Sequence, residues 1–243
     1  MCPYLKLGLY TISMHTLFNT IAFITGIVYY IIASGRQGLK FFKALVFSAC
    51  LAVSLAIGVE LHHLIIAIPN ALKNNINLLK VLEGSKVMGG IAMGSFCVYI
   101  YTKKAKMSTL LYMDIYFFIM PVLQSIGRIG CVMGGCCHGK QIPSPNGIRI
   151  LNVTYSRYPT QLMEIAFNLI LFLFLILLKR KTVKNGYIAV TYLICYGLYR
   201  TFAEFLRGDY ESYKIMLYSN QLMAVIFVVA GILLFRKLKK KAL

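Results

Sequence analysis

One stretch of the chain concentrates the residue types that could do chemistry. It runs from Pro121 to Gly139 and reads P-V-L-Q-S-I-G-R-I-G-C-V-M-G-G-C-C-H-G. Its last thirteen residues hold five glycines, three cysteines, Arg128 and His138. An apolar run precedes it, so Arg128 falls at membrane depth. An arginine there costs roughly 2.5–3.5 kcal/mol on insertion scales and is normally paired, hydrated or functional. Its planar fork of donors suits a lipid phosphate, and the glycines around it let backbone come close to a bulky group. Snorkelling to the interface is the plainer role. Cys131, Cys136, Cys137 and His138 are the residue types of a zinc site, but adjacent cysteines depart from the usual x2–4 gap, and no metal is expected. A cysteine nucleophile activated by His138 is a second possibility, and sulfur packing against glycine a third. His138 is the best-placed general base, because imidazole titrates near neutrality.

Other polar residues are embedded in apolar surroundings. Gln161 and Glu164 lie one turn apart in a helix that Pro159 would start. Arg200 and Glu204 share a helix face at four-residue spacing, and Arg207 closes the same segment. Glu164 could bind a substrate hydroxyl, act as a base or pair with an arginine. His15, Glu60, His62 and His63 sit in two earlier apolar segments, where His62 and His63 cannot share one face.

The elements that must position these residues are membrane spans. The 243 residues are 59% hydrophobic with mean hydropathy +0.72, more apolar surface than a soluble domain of this size needs. Apolar runs of about twenty residues match a hydrocarbon core of about 30 Å. Seven spans are expected, near 10–32, 44–68, 87–102, 108–127, 159–178, 186–206 and 218–235, giving an all-α membrane protein with a single polytopic domain over 1–243. The linker 128–158 is long and contains Pro143, Pro145 and Gly147. It should form an irregular extracytoplasmic cap, with a short hairpin around Arg149 to Tyr155. Ser219, Asn220 and Gln221 would cap the last span. The net charge of +19 invites a nucleic-acid reading, but the basic residues cluster in short linkers, where orientation and anionic lipid explain them. Linkers after spans one, three and five, with the C-terminal tail, carry fifteen of the twenty-six Lys and Arg residues. The positive-inside rule then places the C-terminus in the cytoplasm and the N-terminus outside. Threaded this way, His15, Glu60, Arg128, Gln161, Glu164, Arg200, Glu204 and Arg207 fall in the outer half of the membrane, with Asp114 the exception. Polar groups gathered at one depth imply a water-accessible chamber. No cleaved leader is expected, since no small-residue cleavage site follows the first residues, and Cys2 lacks a lipobox. Cys50, Cys97 and Cys195 lie within spans and should pack as small hydrophobes.

Gly127-Arg128-Ile129-Gly130, followed by Gly135 and Gly139, resembles the signature of bacterial prolipoprotein diacylglyceryl transferases. Tyr158-Pro159-Thr160-Gln161-Leu162-Met163-Glu164 resembles that family's second block, and Tyr196-Gly197-Leu198-Tyr199-Arg200 with Glu204, Phe205 and Arg207 its third. The resemblance implies transfer of diacylglyceryl from phosphatidylglycerol to the lipobox cysteine of a secreted prolipoprotein, in the outer leaflet of the bacterial cytoplasmic membrane. Its implied partners are that lipid, the prolipoprotein signal peptide and bulk membrane lipid, with no cofactor. Arg128, Arg200 and His138 would be catalytic, and Gly127, Gly139, Gln161, Glu164, Glu204, Arg207 and His15 would bind lipid or substrate. The sequence departs from the family where Met88 precedes Gly89-Gly90 in place of a histidine, and at His15, Glu60, Cys131 and Cys136. A related transferase with another acceptor or phospholipid, or a non-catalytic lipid-binding or transport protein, are the alternatives.

Overall fold

The computed structural model describes residues 4–7, 10–73, 87–142, 148–150, 153–181, 184–207 and 214–240. Cys2 and the cap residues 143–147 lie outside these. Among the described residues there are seven helices: α1 (Met14–Gly35), α2 (Phe41–Lys73), α3 (Val87–Lys104), α4 (Thr109–Gly134), α5 (Thr160–Arg180), α6 (Tyr187–Leu206) and α7 (Lys214–Lys240). Five contain a stretch long and apolar enough to cross a membrane: α1, α2, α4, α5 and α7. α3 is short, at 18 residues, and ends in Lys103 and Lys104. α6 interrupts its apolar run with the buried Arg200 and Glu204. The outward faces carry large apolar side chains, Ile170 at 67% and Phe202 at 60% exposure among them. Such surface is stable against lipid, and the chain is a multi-pass membrane protein.

Two short antiparallel hairpins accompany the helices. β3 (Ile148–Ile150) pairs with β4 (Val153–Tyr155), Arg149 opposite Thr154, where the linker was expected to turn back. β1 (Tyr4–Leu7) pairs with β2 (Tyr10–Ser13), Leu5 opposite Ile12. The expected first span thus gives up its opening residues to a strand. Ser13 then caps α1, its Oγ accepting from the Thr16 amide at 3.1 Å.

α4 is the central helix, packed against α1, α3, α5 and α6. It buries Tyr112, Tyr116, Phe117 and Met120 and continues through Pro121, which a membrane helix tolerates when neighbours re-satisfy the backbone. Buried phenols find acceptors: Tyr116 Oη donates to the Ile91 carbonyl at 3.0 Å and Tyr30 Oη to the Tyr116 carbonyl at 3.3 Å. The expected end of this span at 127 is two turns too early. Gly127 and Gly130 do not break the helix because α1 packs directly on them. A Cβ at Gly130 would lie 2.9 Å from Phe18 Cβ and 3.3 Å from the Cα of His15, so the glycine permits the close approach. α4 stops at Gly135, whose left-handed φ of 65° closes a Schellman turn. The Cys136 amide there donates to the Cys131 carbonyl at 3.1 Å.

Candidate active site

Helices alternate in direction, so one end of the bundle collects the starts of α1, α3, α5 and α7 and the ends of α2, α4 and α6. His15, Glu60, Met88, Arg128, Glu164, Arg200 and Arg207 line one cavity of about 530 Å³. Asp114, near the start of α4, lies at the other end. Its carboxylate accepts from the amides of Gly186 at 2.6 Å and Ala189 at 2.8 Å, capping α6 from a neighbouring helix.

Glu164 is the hub of the cavity's charged wall. Its Oε2 lies 2.8 Å from Arg128 Nη2 and 3.0 Å from Arg200 Nη1, and Tyr196 Oη donates to Oε1 at 3.4 Å. Arg200 Nη2 is 3.1 Å from Glu204 Oε2, and Asn220 Nδ2 donates to Glu204 Oε1 at 2.7 Å. These groups are removed from water, with Glu164 4% and Glu204 0% exposed. Such a network is costly to desolvate and adds little net stability, which argues that it is kept to orient the two guanidinium forks. With Arg207 also lining the cavity and Glu60 on its α2 wall, three arginines and three carboxylates, Glu60, Glu164 and Glu204, gather beside an apolar space.

Sequence reasoning missed Asn220. Ser219–Gln221 was expected to cap the last span, but α7 starts at Lys214, which places Asn220 inside the helix, 2% exposed and turned to Glu204. An asparagine within a strongly apolar run was the available signal. Tyr196 was visible as part of the third block, without a role.

The start of α5 clamps the loop after α4. Thr160 Oγ1 donates to the Cys137 carbonyl at 2.9 Å, and Gln161 Nε2 to the Cys136 carbonyl at 2.6 Å. Gln161 Nε2 also lies 3.1 Å from His138 Nδ1, and His138 Nε2 lies 2.9 Å from the Gly135 carbonyl. A carbonyl can only accept, so Nε2 carries the proton and Nδ1 is the acceptor. Both nitrogens of the expected base are therefore occupied in the loop, and His138 is not among the residues lining the cavity. Gly139 is packed backbone to backbone: its amide donates to the Tyr158 carbonyl at 2.8 Å, and a Cβ would lie 2.5 Å from Tyr158 Cβ and 2.7 Å from the Leu206 carbonyl. It sits where a side chain cannot, while Gly127 lines the cavity beside Arg128. His15 lines it too, with Asn19 Nδ2 3.3 Å from its ring.

The thiols of Cys131, Cys136 and Cys137 converge, with all three sulfurs within 4.8 Å of one another. Adjacent cysteines normally point apart, but Cys137 has a left-handed φ of 62° that turns its side chain back. Hydrogen bonds from Cys131 and Cys136, with Arg207 and Arg128 nearby, hold the Cys137 thiol well below the usual range against its burial. The same contact with Cys137, and burial, push Cys136 up.

A sequence profile described as prolipoprotein diacylglyceryl transferase matches residues 3–236. Among similar proteins are three named phosphatidylglycerol–prolipoprotein diacylglyceryl transferase. The one from Clostridium tetani is 33% identical over 184 residues, covering 74% of each chain. The second such enzyme of Clostridium perfringens is 31% identical over 65% of this chain and 64% of its own. That from Clostridium botulinum strain Langeland is 31% identical over 77% of each. With the profile spanning nearly the whole chain, this protein belongs to the prolipoprotein diacylglyceryl transferase family.

Proposed function

We propose that this protein is a transferase that moves the diacylglyceryl group of phosphatidylglycerol onto the lipobox cysteine thiol of a prolipoprotein. The observation that carries the reading is the Arg128–Glu164–Arg200 network on the wall of a cavity that is polar at one end and apolar along its length. The cavity follows α1 from His15 to Tyr30, roughly 22 Å at 1.5 Å per residue. That suits a lipid whose headgroup meets the arginines while its acyl chains run between α1, α2 and α4. The acceptor sulfur attacks the glyceryl carbon, the carbon–oxygen bond to phosphate breaks, and glycerol phosphate leaves. Negative charge builds on the departing oxygen, where Arg128 and Arg200 are aimed and poorly hydrated, so their donors need no reorganisation. Arg207 adds the third positive group. Glu164 and Glu204 hold the forks in place. Gly127 keeps the approach to Arg128 open, and His15 lies where substrate passes. Gln161, His138 and Gly139 fix the loop that carries Cys136 and Cys137, which makes His138 a positioning residue.

The chain acts as one polytopic unit with seven membrane crossings, its site in the outer leaflet of the bacterial cytoplasmic membrane. The bundle end opposite the site carries the linkers Arg36–Lys43, Lys103–Lys106 and Lys179–Lys184 and the tail from Arg236, which supports a cytoplasmic C-terminus and an external N-terminus. The test is turnover in vesicles of phosphatidylglycerol labelled in the headgroup, with a lipobox peptide. Release of glycerol phosphate equal to thioether formed is expected. No release with that lipid would overturn the reading.

A further inference from the structure

The proposed reaction alkylates a sulfur, and its rate depends on thiolate. A free thiol has pKa ~8.5 and is about 3% ionised at pH 7. Either a base or a metal ion must supply the rest. Both nitrogens of His138 are engaged within the loop, and the residue ahead of Gly89-Gly90 is the apolar Met88. His15, on the cavity wall, is the imidazole left to serve as a base.

The cysteine cluster offers the other route. Cys131 stands on the last turn of α4, and Cys136 and Cys137 return to it through the Schellman turn. Their carbonyls are held by Gln161 and Thr160 and their backbone by the Cys136-to-Cys131 bond. These backbone restraints gather the three thiols, and the contact that Cys136 Sγ makes to the Cys131 carbonyl is long, at 3.8 Å, and is exchanged for the metal on binding. A tetrahedral thiolate shell with metal–sulfur bonds of about 2.3 Å spaces its sulfurs by roughly 3.8 Å, and these lie within 4.8 Å of one another. Three protein ligands with a fourth position open to substrate is the arrangement of catalytic rather than structural zinc. Cys131 and Cys137 line the cavity, so the open position faces the substrate space. A divalent ion with three thiolates carries one net negative charge, and Arg128 Nη1 lies 3.9 Å from Cys131 Sγ to offset it.

We propose that Cys131, Cys136 and Cys137 bind a zinc-class divalent cation whose fourth position takes the acceptor cysteine as its thiolate. The proposal rests on the transferase reading for its acceptor. On coordination the acceptor thiol gives its proton to cavity water, as coordinating thiols do. A sulfur lone pair then forms the bond to the glyceryl carbon. The carbon–oxygen bond breaks with its electron pair going to the phosphate oxygen, held by Arg128 and Arg200. No atom changes oxidation state at the metal, and the neutral thioether, a weaker ligand than a thiolate, leaves.

The test uses the full-length protein in detergent, stripped with chelator and titrated with Co²⁺. One equivalent should bind with thiolate-to-cobalt charge transfer and tetrahedral ligand-field bands. Cys136→Ser and Cys137→Ser should lose the charge-transfer band. A lipobox peptide should shift the ligand-field bands, and its Cys-to-Ser counterpart should not. Stripped enzyme should lose at least about 30-fold in turnover at pH 7, the deficit in ionisation of an unactivated thiol, and Zn²⁺ should restore it. The wild-type titration needs no variant, so misfolding of a serine variant does not blunt the test. Failure of wild type to bind Co²⁺ or Zn²⁺ stoichiometrically while its thiols are reduced would overturn the proposal. So would normal turnover by verified metal-free enzyme, which would leave the transferase reading standing and point to His15. A peptide-dependent cobalt shift without turnover under any metal load would instead uphold the metal site and remove the transferase reading.

Discussion

Glu164→Gln isolates what the buried network does, because glutamine keeps the shape of the side chain and removes only its charge. In the protein as it stands, Arg128, Arg200 and Arg207 share the cavity wall with Glu60 and Glu164, and Glu204 pairs with Arg200. Neutralising Glu164 leaves one positive charge in excess and leaves the guanidiniums of Arg128 and Arg200 without their shared partner at 2.8 and 3.0 Å. Breaking a buried ion pair on one side costs about 3–5 kcal/mol. For a chain of this length, that is a fall in Tm of roughly 6–20 °C. Catalysis should suffer separately. The forks lose the restraint that aims them at the leaving phosphate, and loss of one preorganised donor lowers kcat by about 10²–10³. Lipid binding should not weaken, since the headgroup meets more positive charge, so KM for phosphatidylglycerol should stay level or fall. Thermal unfolding in detergent and initial-rate kinetics in vesicles read the two effects independently. A variant with wild-type Tm and kcat within about threefold would refute the hub role. A raised KM with unchanged kcat would instead make Glu164 a substrate-binding group, lost equally from ground and transition states.

The remaining predictions are narrower. Arg128→Lys should lower turnover nearly as far as Arg128→Ala, because lysine keeps the charge and loses the fork; near-normal activity for the lysine variant would reduce Arg128 to a point charge. Asp114→Ala, remote from the cavity, should cost about 1–3 kcal/mol in stability by orphaning the Gly186 and Ala189 amides, with kcat/KM unchanged once the protein is folded. A drop in kcat/KM at full folding would tie the far end of α4 and α6 to the chemistry. His138→Ala should loosen the loop and lower turnover without changing the shape of the pH profile between 6 and 8, whereas a lost imidazole limb would restore His138 as the base. Asn146→Cys should react with an impermeant thiol reagent in intact spheroplasts, and labelling only after lysis would invert the topology.

The sequence alone determined that the chain is built of apolar helices suited to lipid, because hydrophobic runs of this length have few other stable states. It also placed His15, Arg128, Glu164 and Arg200 at a common depth, because helices joined by short linkers must alternate in direction. The Arg200–Glu204 pairing was legible for the same local reason, a four-residue step on one helix. Tertiary structure decided the rest. Whether Gly127 and Gly130 end a helix or continue it depends on whether another helix packs against them, and α1 does. That Glu164 on α5 would serve Arg128 on α4 and Arg200 on α6 together is a property of three helices meeting, invisible to any one of them. Asn220 became a partner of Glu204 only because α7 begins about a turn early. The adjacency of Cys136 and Cys137 argued against a shared ligand site as long as ordinary backbone was assumed. A left-handed turn at Cys137, held by α5 from outside the loop, brings their sulfurs together with that of Cys131. Local spacing constrains side chains along one element, and convergence between elements is set by the packing that joins them.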